Sequence, residues 1–340
     1  MVSSSRVAAW LLLLASPPLA ATTASSLVDR FDLAVAGMSP TGGPTVVERS
    51  RPRRSGADFV VERRLNVKVE FPDSVSGTMY SGLLHGEAAV FTRSVNRLDA
   101  AVMREGTIEV TSLDAGSTIG APDLPSRRSG RSVGPGHFEN PAAYSLDIHF
   151  LKHDDLADLS IWDVHARYVA WWLADLSNHV LPTEPISVWY SAGVPSLTDM
   201  AYGGEGSLHA FERALKALDD DYQFGLERTY KKKYIVLTAN APMPGTAGVA
   251  FEGGNEAMAS LGGRERIIAH EIGHMLGANH LSAETRGWWG CETNMLSIAN
   301  KLRHDCLEYT AANQRAIRSY MRHGPDTTAP RKMADAPTAE

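Results

Sequence analysis

Polar and apolar positions along the chain change their rhythm twice. Over residues 66–71, Asn66-Val67-Lys68-Val69-Glu70-Phe71, they alternate, and the same pattern returns at 88–92 and 107–111 with Gly and Asp between. Alternation places successive side chains on opposite faces of an extended chain, so residues 58–113 read as a small β-rich unit. From residue 141 the pattern is mixed. Residues 144–151, 186–190, 233–238 and 248–251 read as strands. Ile161, Val164, Tyr168, Val169, Trp172, Leu173, Leu176 and Val180 recur at steps of three and four, the stripe of one long amphipathic helix. Further helices are predicted over 208–218, about 263–276 and 311–321, and strands interleaved with helices give an α/β class.

Between these blocks lie stretches with little to bury. Residues 25–57 are rich in Ser, Gly, Pro and Arg, read as loop or linker, and end in Arg51-Pro52-Arg53-Arg54. Residues 126–136 are a second polar stretch and the best domain boundary, and the Pro/Ala/Thr tail over 325–340 is expected to be disordered. At the start, Arg6 precedes an apolar run from Val7 to Ala15, followed by small residues and Pro17-Pro18. That run is too short for a bilayer, which needs about 20 residues, and suits the core of a signal peptide over 1–24. The expectation is a secreted protein with no membrane anchor.

Composition narrows the classes. Of 340 residues, 44% are apolar and 8% aromatic, which excludes wholesale disorder. Residues 29–140 hold 14 Lys+Arg against 14 Asp+Glu, and residues 141–340 hold 18 against 25, so no basic stripe awaits nucleic acid. Cys291 and Cys306 are the two cysteines, too few for a four-thiolate metal site. In an oxidising compartment they are expected to pair, closing a loop worth about 3 kcal/mol by chain entropy.

The densest chemistry is His270-Glu271-Ile272-Gly273-His274-Met275-Leu276-Gly277-Ala278-Asn279-His280. His270 and His274 are one helical turn apart, so their imidazoles share a face and can share an ion. Gly277 can adopt the left-handed conformation that ends a helix, returning His280 toward the same point. Three imidazoles leave a fourth position for water, the arrangement of a catalytic Zn2+ ion. Glu271 points away from the ligand face and is placed to act as general base on that water.

These residues resemble the long zinc signature of the metzincin metallopeptidases. The resemblance implies a metzincin-like catalytic domain over 141–324, with a mixed twisted sheet and a zinc-binding active-site helix. Cys291-Glu292-Thr293-Asn294-Met295-Leu296 resembles the family's methionine turn, with Met295 packing beneath the metal. The cysteine pattern is most similar to the reprolysin (adamalysin) group, and it implies that the Cys291–Cys306 bridge ties this turn to the terminal helix. Two positions depart from related patterns. Leu281 stands where reprolysins carry aspartate, and Ser297 where astacins and serralysins place a tyrosine, so no fifth protein ligand is expected. The resemblance also implies that Gly248, Val249 and Ala250 lie on an edge strand that pairs with an extended protein or peptide substrate.

By analogy residues 25–131 would form a β-rich propeptide, released near Arg131. No cysteine precedes Cys291, so latency cannot use a propeptide thiol, leaving steric cover or another ligand such as Asp73 or His85. The implied activity is that of a secreted zinc metalloendopeptidase. The rival is a catalytically idle zinc-binding adhesin or toxin module on the same fold, which the presence of Glu271 disfavours.

Overall fold

The computed structural model describes residues 24–38, 59–104, 107–114, 145–222, 229–287, 290–297, 300, 302–325, 328 and 332–337. Residues 1–23 of the expected leader, both basic clusters and the boundary at 126–136 lie outside them.

The first element corrects the sequence reading. Helix α1 (Ala24–Ala36) takes up the last residue of the expected leader and the start of the expected linker. Val28, Phe31 and Ala34 recur at a step of three and are buried, a stripe masked by the Ser, Gly and Pro around it. Phe31 packs its ring edge-on to Tyr80, 5.4 Å between centroids, and its full burial is worth about 3 kcal/mol. Asp32 pairs with Arg93 at 2.8 Å.

Five antiparallel strands follow as a meander: β1 (Phe59–Phe71), β2 (Val75–Leu84), β3 (Glu87–Ser94), β4 (Arg97–Arg104) and β5 (Thr107–Asp114). The β2–β3 hairpin turns on His85 and Gly86, both at positive φ, which matches the right-handed strand twist. β1 belongs to two cores. Its start contributes Val61 to the cluster under α1, whereas Leu65, Val67, Val69 and Phe71 enter the main core. There Val67 to Glu70 pair in parallel with residues 186–189. The β-rich unit therefore continues directly into the sheet of the second half.

That half contains β6 (Leu146–Lys152), α2 (Ile161–Val164), α3 (Ala170–Asp175), β7 (Ile186–Ala192), α4 (Ser207–Tyr222), β8 (Lys232–Thr238), β9 (Thr246–Phe251), β10 (Glu256–Ser260), α5 (Ile267–Met275), α6 (Ala311–His323) and β11 (Met333–Pro337). The long helix predicted over 161–180 is present as a continuous helical rod. Ser160 caps it by accepting from the Asp163 N–H at 3.1 Å, and π-helical turns at His165–Val169 and Leu176–Val180 interrupt its α-geometry. Among the described residues the strands form one mixed sheet in the order β11-β9-β10-β8-β6-β7-β1-β2-β3-β4-β5. Its parallel centre is covered on both faces. Ile235 and Leu237 of β8 face the core shared with α3, α5 and α6, while Tyr234 and Val236 face Leu208, Phe211 and Leu215 of α4.

Two further differences concern the far edge. β10 was not predicted, and it separates β9 from β8. The tail, expected to be disordered, contributes β11, which pairs antiparallel with β9. Extended backbone needs only a partner's ladder to become a strand, so composition alone is a poor guide there.

Candidate metal centre

The zinc helix of the sequence reading is α5, every residue of which is buried. It ends as glycine allows. Gly277 takes φ 82°, its N–H donates to His274 O at 3.1 Å, and the Ala278 N–H donates to Gly273 O at 2.8 Å. The chain then reverses into a short 3-10 turn, His280–Ser282, which Asn279 caps by accepting from the Ser282 N–H at 3.1 Å. The three histidines converge. Their Nε2 atoms lie 3.1 Å (His270 to His274), 2.9 Å (His274 to His280) and 3.0 Å (His270 to His280) apart. Among the described residues this is the one cluster of three or more metal-type side chains close enough to hold an ion.

The donor set fits a metal. His270 Nδ1 is 2.7 Å from Asn294 O, and a carbonyl can only accept, so Nδ1 carries the proton and Nε2 keeps its lone pair toward the cluster. Burial, followed by the neighbouring His274 and His280, holds His270 well below its ordinary 6.5. Burial and then His280 lower His274 to about 3. Both are neutral at neutral pH, the form that ligates. Separations near 3 Å suit nitrogens converging on one ion with bonds of about 2.0–2.1 Å.

Two glycines explain how the neighbouring groups approach. A Cβ on Gly248 of β9 would lie 2.4 Å from Glu271 Oε1 and 2.7 Å from its Cγ, so the bare backbone there makes room for the Glu271 carboxylate. A Cβ on Gly273 would fall 2.2 Å from Met295 Sδ, so Met295 lies against α5 only because residue 273 has no side chain. Met295 is fully buried in the turn after Thr293. The disulfide between Cys291 and Cys306 closes that loop.

Several supporting residues were not legible in the sequence. Asn313 of α6 accepts from the Asn279 N–H at 3.0 Å and donates to Asn279 O at 3.2 Å, a two-way clamp on the residue before His280. Tyr309 donates to Ala269 O at 2.5 Å, holding α5 from the other side. Buried Arg266 reaches Glu292 at 2.7 Å and Asp305 at 3.1 Å, and Arg264 reaches both at 3.0 Å. This quartet fastens the start of α5 to the disulfide loop. At the other end Lys233 Nζ donates to Met275 O at 2.9 Å, Gly254 O at 2.7 Å and Tyr320 Oη at 2.8 Å, placing a cation where the α5 dipole is negative. Paired opposite charges beside the cysteines were the available signal for the quartet. Nothing local marked Lys233 or Asn313.

Other sequence candidates fall elsewhere. Leu281 is 99% exposed and contributes no buried contact beside the third histidine. Asp73 and His85 sit in the β1–β2 and β2–β3 turns at positive φ and are not part of the histidine cluster. Gly248, Val249 and Ala250, expected on an edge strand that pairs with substrate, lie one strand in from the edge, because β11 pairs along all three. β9 is an edge strand of the sheet only if the tail is left out.

No protein-family model matches the chain, and no curated protein matches it. Among solved structures the chain is similar to metalloproteinase-II from Bacteroides fragilis, at 14% identity, over 76% of this chain and 86% of that one, with a TM-score of 0.49.

Proposed function

We propose that the chain is a secreted zinc metalloendopeptidase of metzincin type that hydrolyses peptide bonds in polypeptides. The observation that carries this reading is the convergence of three imidazoles on one point, two of them buried and neutral and the third half-buried, with a glutamate next to the first of them and glycine backbone opposite it. His270, His274 and His280 would hold the ion. When bound, zinc would lower the pKa of its water toward 7 and polarise the scissile carbonyl. Asn294 O and the Asn279–Asn313 clamp orient the outer two ligands of the set before any metal arrives, so little reorganisation accompanies loading. Glu271 takes the proton from the attacking water and hands it to the leaving amine. Gly248 of β9, having no side chain, leaves room for its carboxylate. Burial at this position excludes bulk water that would otherwise weaken the interaction with the developing charge.

The test is Glu271→Ala. It should retain one zinc per chain and an unchanged thermal midpoint while casein hydrolysis falls by about 10²–10⁴-fold or more. Hydrolysis at the original rate would overturn the role of Glu271. A chelator-insensitive wild type would overturn the metal mechanism, and zinc binding without any proteolysis would favour an idle binding module.

A further inference from the structure

We propose that the Met333–Pro337 segment is a peptide ligand bound in cis, filling the channel along β9, and that in its absence β9 takes extended polypeptides whose alternate side chains are small. The proposal rests on the peptidase reading for what normally enters that channel. The pairing itself is independent of it.

β11 runs antiparallel to β9 with Met333 opposite Phe251, Ala334 opposite Ala250, Asp335 opposite Val249 and Ala336 opposite Gly248. One residue earlier, the Glu252 N–H donates to Lys332 O at 2.9 Å. Gly248 is the position whose missing Cβ accommodates Glu271, so the tail crosses the strand directly opposite the residue that seats the proposed base. The route is built into the fold. α6 ends at Gly324, φ 77°, and Pro325 packs on Gly253, where an added Cβ would stand 3.2 Å from the proline ring. Pro325 thus lies beside the β9–β10 turn, and Lys332 lies beside it again.

The segment is held as a substrate is held. Ala334 is buried to 7% exposure and Met333 remains 43% exposed, while the backbone ladder runs from Met333 to Pro337. Backbone pairing along a sheet edge is a general mode of peptide recognition and accepts many sequences. β9 itself offers Gly248 and Ala250 with no charged side chain from 246 to 251, so steric room and not charge sets what fits.

Tethering makes weak pairing sufficient. Attachment to the same chain gives an effective concentration of the order of 1 mM, so a segment with a Kd of about 0.1 mM in trans would close the channel roughly ten to one. Two measurements test this. The first uses a fluorescein-labelled peptide of residues 332–337 and chains carrying Glu271→Ala, one full-length and one ending at residue 331, compared by anisotropy. The shortened chain should bind with a Kd near 0.1 mM, and the full-length chain about tenfold more weakly. Equal binding to both, or no binding to the shortened chain, would overturn the proposal. The second compares casein hydrolysis by chains with the native Glu271. Removing residues 332–340 should raise the rate about tenfold, and added tail peptide should lower it again. An unchanged rate would overturn the proposal and leave the peptidase reading standing. Differential peptide binding with no hydrolysis by either chain would strike the peptidase reading and leave the tail site standing. If the shortened chain fails to fold, Ala334→Pro with Ala336→Pro in the full chain removes ladder donors and is read by the same two assays.

Discussion

At one end of the sheet β5 meets solvent with Thr107, Glu109, Thr111, Ser112 and Asp114 exposed, and Arg104 bridges Glu109 at 2.7 Å and Glu87 at 2.6 Å. At the other end β9 carries Thr-Ala-Gly-Val-Ala-Phe, buried at every position and covered by the tail. Both strands face the same hazard, a row of backbone donors and acceptors that another chain could extend. β5 answers it with charge, which makes a stray strand costly to dock. β9 has no such guard, and its small uncharged residues invite a partner strand. The contrast shows that the two ends are built for opposite purposes: one to stay an edge, the other to be paired.

The largest way to break this contrast is a charge inside the unguarded end. Val249→Asp would place a carboxylate among Phe211, Val236 and Met258, and should cost more than about 4 kcal/mol, read as a collapse of the urea midpoint. Next, replacing Cys291 and Cys306 by serine should cost about 3 kcal/mol, again by urea unfolding, with zinc affinity falling as the loop under His270 loosens. Gly248→Ala should spare folding and zinc content but cut kcat about 10²-fold by displacing Glu271. A change confined to KM would show that Gly248 serves substrate alone.

A fourth prediction concerns the seam between the two halves. His165 joins them, its ring nitrogens 3.0 Å from Thr92 Oγ1 and 2.8 Å from Tyr190 Oη, and burial lowers it from 6.5 to about 3. The unfolded chain takes up a proton below pH 6.5 while the folded chain does not. The stability associated with neutral His165 is therefore complete above 6.5 and is lost as pH falls from there toward 3, at up to about 1.4 kcal/mol per unit. Between about pH 7.5 and about pH 5 the loss should be near 2 kcal/mol, and His165→Gln should flatten that dependence. The smallest effect belongs to the guarded end. Glu109→Lys should shift stability by no more than about 0.5 kcal/mol, since an exposed pair contributes little.

What was legible in the sequence is what depends on neighbours in the chain. The three histidines and Gly277 lie within eleven residues, and helical spacing plus one left-handed glycine brings them together without help from afar. The stripe over 161–180 was visible for the same reason, although its two π-helical turns were not, because one extra residue per turn hardly disturbs a pattern of threes and fours. β10 escaped because Glu-Ala-Met-Ala-Ser neither alternates nor forms a long apolar run. α1 escaped because surrounding Ser, Gly and Pro outweighed Val28, Phe31 and Ala34. β11 and the junction of β1 with β7 are different in kind. Period two identifies a strand but not its partner, and these partners stand far away in the chain. The Asn279–Asn313 clamp and the three acceptors around Lys233 are likewise products of packing.

The junction of β1 with β7 also sets a clock. Val67 pairs with Ile186, so 119 residues (186 − 67) must leave the ribosome after the first before the second exists. At roughly 5–20 residues per second that interval is about 6–24 s. β1 can form its hairpin with β2 within microseconds, yet its other side must stay open for the whole wait. Leu65, Val67, Val69 and Phe71, apolar and bound for a core that later segments complete, stay uncovered for that interval.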